Sequence, residues 1–294
     1  MMLIVLFFIN QNPDLQKLYN HATTSLVQFK TEKDTAFNQL INMAQDTIYE
    51  DTIMYFLISQ FDTKSASERH ALKDMMLKIG IRAISFIVDK IDYRGSDIED
   101  RCLKQSLWVL GEIGGEGVVE PAARFIDDVS WQIRSNAYTT LGKSRSAQAI
   151  PYILSGLEDT VASVRKSAYY ALSELATIDE LEHLINGLGD EHYGVRYACV
   201  KGLTHLGEPA ITRIVAGMND KNTENYFFII ALARIPEAND DLLKYLNNTD
   251  PAGRCLIYEA VKDITILEMA AEWETNSLLS KYLKVKIKDL ENSQ

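Results

Sequence analysis

The chain's hydrophobic and polar positions repeat. In "LEDTVASVRKSAYYALSEL", Leu157 to Leu175, the apolar residues Val164, Ala168, Leu172 and Leu175 fall at i, i+4, i+8 and i+11, one face of a helix. Thirty-one residues earlier the chain reads "IDDVSWQIRSNAYTTLGKS", and thirty-one later "LGDEHYGVRYACVKGLTHL". Each copy follows a second apolar stretch: "AIPYILSGL" and "ELEHLINGL", then "AITRIVAGM" ahead of the next unit. Each unit is therefore expected to be two helices joined by a turn. Such a pair is too small to bury both apolar faces alone, which predicts that the units stack.

Fixed columns support this. Asp97, Asp128, Asp159, Asp190, Asp220 and Asp250 are separated by 31, 31, 31, 30 and 30 residues. Arg134, Arg165 and Arg196 each stand six after their Asp, with Ile133, Val164 and Val195 just ahead. Ala137, Ala168 and Cys199 follow three after each Arg, and Leu141, Leu172 and Leu203 seven after. The small residues are read as points of close helix approach. Gly80, Gly111 and Gly142 form another column, read as helix ends.

The pattern weakens toward both ends. The fifth unit keeps Asp220 but has Tyr226 where Arg would stand, so a chain of Asp–Arg pairs is expected to end near it. The sixth keeps Asp250 and is irregular afterwards. "SLLSKYLKVKIKDL" sets Leu279, Leu283, Ile287 and Leu290 along one side of a closing helix with lysines on the other. The expected organisation is an N-terminal helical segment, residues 1–62, as diverged units or a cap, then about six units over 63–294 ending in that helix. In the first segment Asn12-Pro13 reads as a helix start. Thr31 with Asp34 reads as a capping box, and "DTIYEDTIMYFLISQF" as a third helix.

Composition changes the picture in three ways. Only six prolines and fifteen glycines in 294 residues favour an all-helical chain. The net charge of -11 weighs against nucleic acid, whose phosphates require clustered Lys and Arg. Cys102, Cys199 and Cys255 are odd in number and far apart, as in reduced thiols of a reducing, cytoplasmic compartment. "MMLIVLFFI" is too short to span a bilayer. It reads as a buried first element, with a degenerate export signal as the alternative.

The columns resemble HEAT repeats, and more closely the HEAT-like repeats named after phycobilisome lyases. "DTVASVRKSAYYALSEL" fits that pattern nearly throughout, and the resemblance covers about residues 65 to 260. It implies an all-α, right-handed α-solenoid of antiparallel helix pairs whose second helices line the concave face. It also implies a structural ladder between units from Asp128, Asp159 and Asp190 with Arg134, Arg165 and Arg196. The chemistry agrees, since a partly buried Arg needs a carboxylate and its planar fork can bridge two turns.

Catalytic chemistry finds no support. No His-Glu dipeptide occurs, so the metal set of the related di-iron hydroxylases is missing. His183 and His192 each follow a Glu but do not recur in register. Gly-rich phosphate loops and nucleophile motifs are also absent. No catalytic residue, metal or cofactor is therefore assigned. If second helices line the concave face, positions one, five and nine after each Arg are exposed there. They include Thr139, Lys166, Tyr170, Tyr197 and Lys201, with Trp108 in the Thr139 column. Tyr138 and Tyr169 lie beside the core stripe and are read as packing. An aromatic and basic stripe suits a protein or peptide partner. The expected function is a non-catalytic scaffold or adaptor, with no nucleic acid and no membrane span. Behind it stand a phycobilisome-lyase-like helper of a tetrapyrrole-carrying protein and an alkylpurine-glycosylase-like DNA binder.

Overall fold

The repeat spacing becomes helix, and the columns become core. The computed structural model describes residues 13–94, 99–218, 226–246 and 249–293, and no strand occurs among them. The apolar "MMLIVLFFI" run, Asp97 and Asp220 lie outside the described residues. The fold is an all-α solenoid of helix pairs, and the chain divides into two compact units, Met1–Gly156 and Leu157–Gln294.

The first unit holds α1 (Pro13–Thr23), α2 (Lys30–Gln45), α3 (Glu50–Ser59), α4 (Ala66–Ile79), α5 (Arg82–Lys90), α6 (Arg101–Ile113), α7 (Val119–Ala123), α8 (Trp131–Lys143) and α9 (Ile150–Ser155). Helix α1 begins at Pro13, where a fixed φ and a missing N–H cost nothing. The capping box expected at Thr31 is not formed. Helix α2 starts one residue earlier, so Thr31 lies inside it and gives its carbonyl to the Thr35 hydroxyl. Both α1 and α2 pack against α4, and Tyr19 meets the Phe56 ring edge-on at 5.5 Å.

The second unit holds α10 (Ala162–Leu175), α11 (Leu181–Gly187), α12 (Tyr193–Leu206), α13 (Ile211–Met218), α14 (Tyr226–Leu232), α15 (Asn239–Leu246), α16 (Pro251–Ala260), α17 (Ile264–Trp273) and α18 (Ser277–Glu291). Second helices pack in series here, α10 on α12, α12 on α14 and α14 on α16. In the first unit α6 packs on α8 in the same way.

Ile133, Val164, Val195, Leu141, Leu172 and Leu203 are all fully buried, as are Ala137, Ala168 and Cys199. Each buried Ile, Val or Leu contributes about 1.5 to 3 kcal/mol. The glycine column plays a different part from the one expected. Only Gly80 ends a helix, while Gly111 and Gly142 lie inside theirs, buried. A Cβ on Gly111 would stand 3.3 Å from the Thr140 Cα, so this glycine lets α6 and α8 approach. The helix end falls at Gly114, whose φ of 71° favours glycine.

A further fit recurs. Tyr138 and Tyr169 are buried, and each ring fills the space left by a glycine at the end of the following first helix. A Cβ on Gly156 would lie 2.3 Å from the Tyr138 ring, and one on Gly187 2.4 Å from that of Tyr169. At the C-terminal end Leu279 and Leu283 of α18 are buried, while Ile287 and Leu290 are half-covered.

Candidate functional site

The Asp and Arg columns build the turns. Each Asp carboxylate accepts from the backbone N–H two residues on: Ser130 to Asp128, Val161 to Asp159 (both 2.8 Å), and His192 to Asp190 (2.7 Å). Each Arg then donates back to the carbonyl of its own Asp: Arg134 to Asp128 (2.8 Å), Arg165 to Asp159 (2.9 Å), and Arg196 to Asp190 (2.6 Å). Arg165 also reaches forward one unit, with Nε 2.8 Å from Asp190 Oδ2 and Nη2 3.2 Å from Oδ1. Burial pushes the Asp190 carboxyl up, but the Arg165 and His192 hydrogen bonds outweigh it and hold the group below its usual range.

The same turn appears where the columns do not reach. Thr63 takes the Asp place: its hydroxyl accepts from Ser65 N–H, and its carbonyl from Arg69, six residues on (3.1 Å). Asp128 receives its side-chain guanidinium from Arg94. Beyond Tyr226 the pairing resumes. Arg254 donates to the Thr249 carbonyl and, through Nε and Nη2, to Glu274 at 2.9 and 3.1 Å. Asp250 in that unit instead caps α16, accepting from Gly253 N–H. Arg196 lays its guanidinium 4.7 Å from the Phe227 ring centre. These charged groups hold turns together, and none is arranged around an open reacting site.

The exposed side of the second helices carries the residues singled out for binding. In the first unit Trp108 is 36% exposed, with Lys73 Nζ 4.2 Å from its ring centre. Burial, then Arg69, lowers the affinity of Lys73 for its proton, against Glu112, which raises it. Thr139 is exposed but turns its hydroxyl to its own helix, at the Ser135 carbonyl. Glu112 and Lys143 form an ion pair from α6 to α8.

In the second unit Lys201 bridges to Glu174 and stands 5.8 Å from the Tyr170 ring centre. The aliphatic stem of Lys166 covers Gly194, where a Cβ would come within 2.7 Å. Tyr197 is 36% exposed, stacked on Tyr193 with ring centres 6.3 Å apart and planes 17° apart. Arg234 lies 5.3 Å from the Tyr197 ring centre. Tyr193 and Tyr226 meet the buried Phe227 edge-on at 5.5 and 5.1 Å. Next to them opens a groove of about 960 Å³, lined by Thr204, Tyr226, Arg234, Leu256 and Lys262 among others. Tyr193, Tyr226 and Arg234 were missed as binding candidates. Tyr193 stands three before Arg196, outside the positions one, five and nine after it, and Tyr226 enters the sequence pattern only as a break in the Arg column.

No three His, Cys, Asp or Glu residues among those described converge as a metal set. His192 is engaged as the cap of α12, its Nδ1 accepting from Gly194 N–H. Cys199 is buried, which pushes its thiol well up, so it does not present a reactive thiolate. No described helix is long and apolar enough to cross a membrane.

Residues 96–173 match the family model for HEAT repeats. No curated protein matches the chain in sequence. Among solved structures the chain is similar to yeast importin-β (Kap95p), with TM-score 0.52 and 12% identity, over 89% of this chain and 42% of that one. It is also similar to Kap95p in a structure of its binding to RanGDP, with TM-score 0.54 and 14% identity, over 97% and 43%. The chain thus spans about two fifths of importin-β. The complex of CpcE and CpcF of phycocyanin lyase from Nostoc lies further off, with TM-score 0.39 and 16% identity, over 84% of this chain and 94% of that one. The first two likenesses show the fold, and the third is too remote to argue from.

Proposed function

We propose that this chain, whose residues 96–173 are HEAT repeats on a solenoid of helix pairs, is a non-catalytic scaffold that holds a partner protein on the exposed ridge of its second helices. One observation carries the reading. In the second unit Tyr170 and Tyr197 come from successive second helices, α10 and α12, keep part of their rings in solvent, and are each attended by a cation from another element, and in the first unit Trp108 on α6 is set in the same way. Partly exposed aromatics beside cations have the composition of interface hot spots. The rings stand on packed helices, so little conformational entropy is lost when a partner docks. The solenoid is read as beginning at residue 63, where Thr63 and Arg69 repeat the turn geometry, with residues 1–62 as a helical segment ahead of it. The like-folded Kap95p has been solved in a complex with Nup1, which supports the class of function.

The test is an affinity pull-down from the native lysate, read by mass spectrometry. The parent is run beside a folded variant carrying Trp108→Ala, Tyr170→Ala and Lys201→Ala. A protein recovered by the parent and lost by the variant supports the reading. Equal recovery removes the ridge from it, and recovery of nothing by either removes the scaffold.

A further inference from the structure

The second unit contains a surface that the ridge alone does not account for. Tyr193 is 61% exposed, Tyr226 40% and Tyr197 36%; Tyr193 and Tyr226 meet the buried Phe227, and Tyr197 stacks on Tyr193. Three large rings left in solvent on one cluster form a concentrated apolar surface in an otherwise charged protein. Their hydroxyls form no hydrogen bond among the described residues, so each ring presents an apolar face and a free polar tip. Tyr226 belongs to both the shelf and the adjoining groove, and so makes them continuous.

Charge gives the groove a direction. Arg234 and Lys262 line it, and neither has a carboxylate partner among the described residues. Its two acids are engaged elsewhere. Glu259 accepts from the Tyr282 hydroxyl. Asp263 caps α17 through Thr265 N–H at 2.9 Å and accepts from Asn239 at 3.2 Å. Among the described residues the groove therefore carries a guanidinium and an ammonium group without an ion partner, beside two carboxylates already held by neutral donors. In a molecule of net charge -11, a groove whose two cations balance its two acids is a local exception, and the cations without an ion partner are its places for an acidic group. The volume of about 960 Å³ sits near the upper end for a pre-formed ligand cleft and suits several residues of extended chain.

We propose that this groove and its tyrosine shelf bind an extended acidic segment of a partner protein, with carboxylates on Arg234 and Lys262 and an apolar side chain on Tyr193, Tyr197 and Tyr226. The inference rests on the scaffold reading and adds the chemistry of what the scaffold holds. Single-stranded nucleic acid also pairs anions with rings that stack, but the acidic body of this chain repels a polyanion along most of its length.

The test uses the full chain and a random dodecapeptide library displayed on phage. Selected peptides are then made with a fluorescein label, and binding is followed by anisotropy. Asp and Glu beside an apolar residue are expected to be enriched. Binding is expected to weaken about tenfold or more with Arg234→Ala or with Tyr197→Ala, to recover in part with Arg234→Lys, and to weaken as salt is raised. Circular dichroism establishes that each variant is folded. The proposal is overturned if no peptide is selected, if the selected peptides lack acidic residues, or if they bind Arg234→Ala as well as the parent. Displacement by a labelled oligo-dT at equal concentration also overturns it. A partner lost with the Trp108, Tyr170 and Lys201 variant while this test fails would leave the scaffold standing and remove only the groove.

Discussion

Arg254 holds Glu274 through two nitrogens, as Arg165 holds Asp190. The carboxylates are set alike: Glu274 accepts from Asn276 N–H two residues on, as Asp190 does from His192. The last repeat therefore rebuilds the turn with a longer acid that stands 20 residues after its Arg, where Asp190 stands 25 after Arg165. The Glu274 side chain is 1% exposed and also takes the Tyr258 hydroxyl at 2.8 Å. Glu274→Ala would leave Arg254 and Tyr258 buried without their acceptor. A loss of about 3 kcal/mol in urea unfolding is expected. A loss under about 1 kcal/mol would show that the pair is not needed to close the solenoid.

Arg165→Ala removes the forward link to Asp190 and the backward one to the Asp159 carbonyl. The expected cost is about 1 to 3 kcal/mol. An unchanged melting curve would contradict a half-buried ladder.

The same pair sets a pH dependence. The folded Asp190 carboxyl lies below its unfolded value of about 3.9. Its contribution is therefore fully present above that value and is lost as pH falls through the folded one. Asp190→Asn should melt lower than the parent at pH 7, and the two should converge as pH drops below about 4. A gap that persists or widens in acid would assign the effect to packing instead.

Gly187→Ala places a methyl 2.4 Å from both the Tyr169 ring and Cys199 Sγ. Overpacking there is expected to cost about 1 to 3 kcal/mol. Tyr169→Leu in the same chain should recover part of it, because the ring that the methyl strikes is gone. Full stability of the single variant would contradict the glycine–tyrosine fit.

The ion pair of Glu174 and Lys201 is 52% and 46% exposed. Glu174→Ala should change stability by less than about 1 kcal/mol. A larger loss in thermal melting would make this pair part of the scaffold's framework and weaken its claim as a contact surface.

Much of the fold was legible because a helix pair repeated at one period leaves the same core residues in the same columns. Ile133, Val164 and Val195 are buried because their positions recur, and no other information was needed. What escaped had changed position or residue type. Thr63 stands in for Asp through a hydroxyl, Arg94 reaches Asp128 from outside its column, and Glu274 serves an Arg twenty residues away. A change of residue type or of register hides such pairs, since the columns show only what recurs at one spacing. The exposure of side chains on the second helices was partly legible. Trp108, Tyr170 and Tyr197 followed from counting along the helix. Tyr193, Tyr226 and Arg234 did not, because the fifth unit loses its Arg and with it the register that would have placed them.

The exposed second-helix ridge is proposed as the place where a partner sits. Its most direct test is a photo-crosslinking amino acid placed at Tyr170, and separately at Tyr152 on the first helix α9, in cells that make the protein. A discrete adduct is expected from position 170 and none from 152. An adduct from 152 with none from 170 would contradict it and move the binding surface to the first helices.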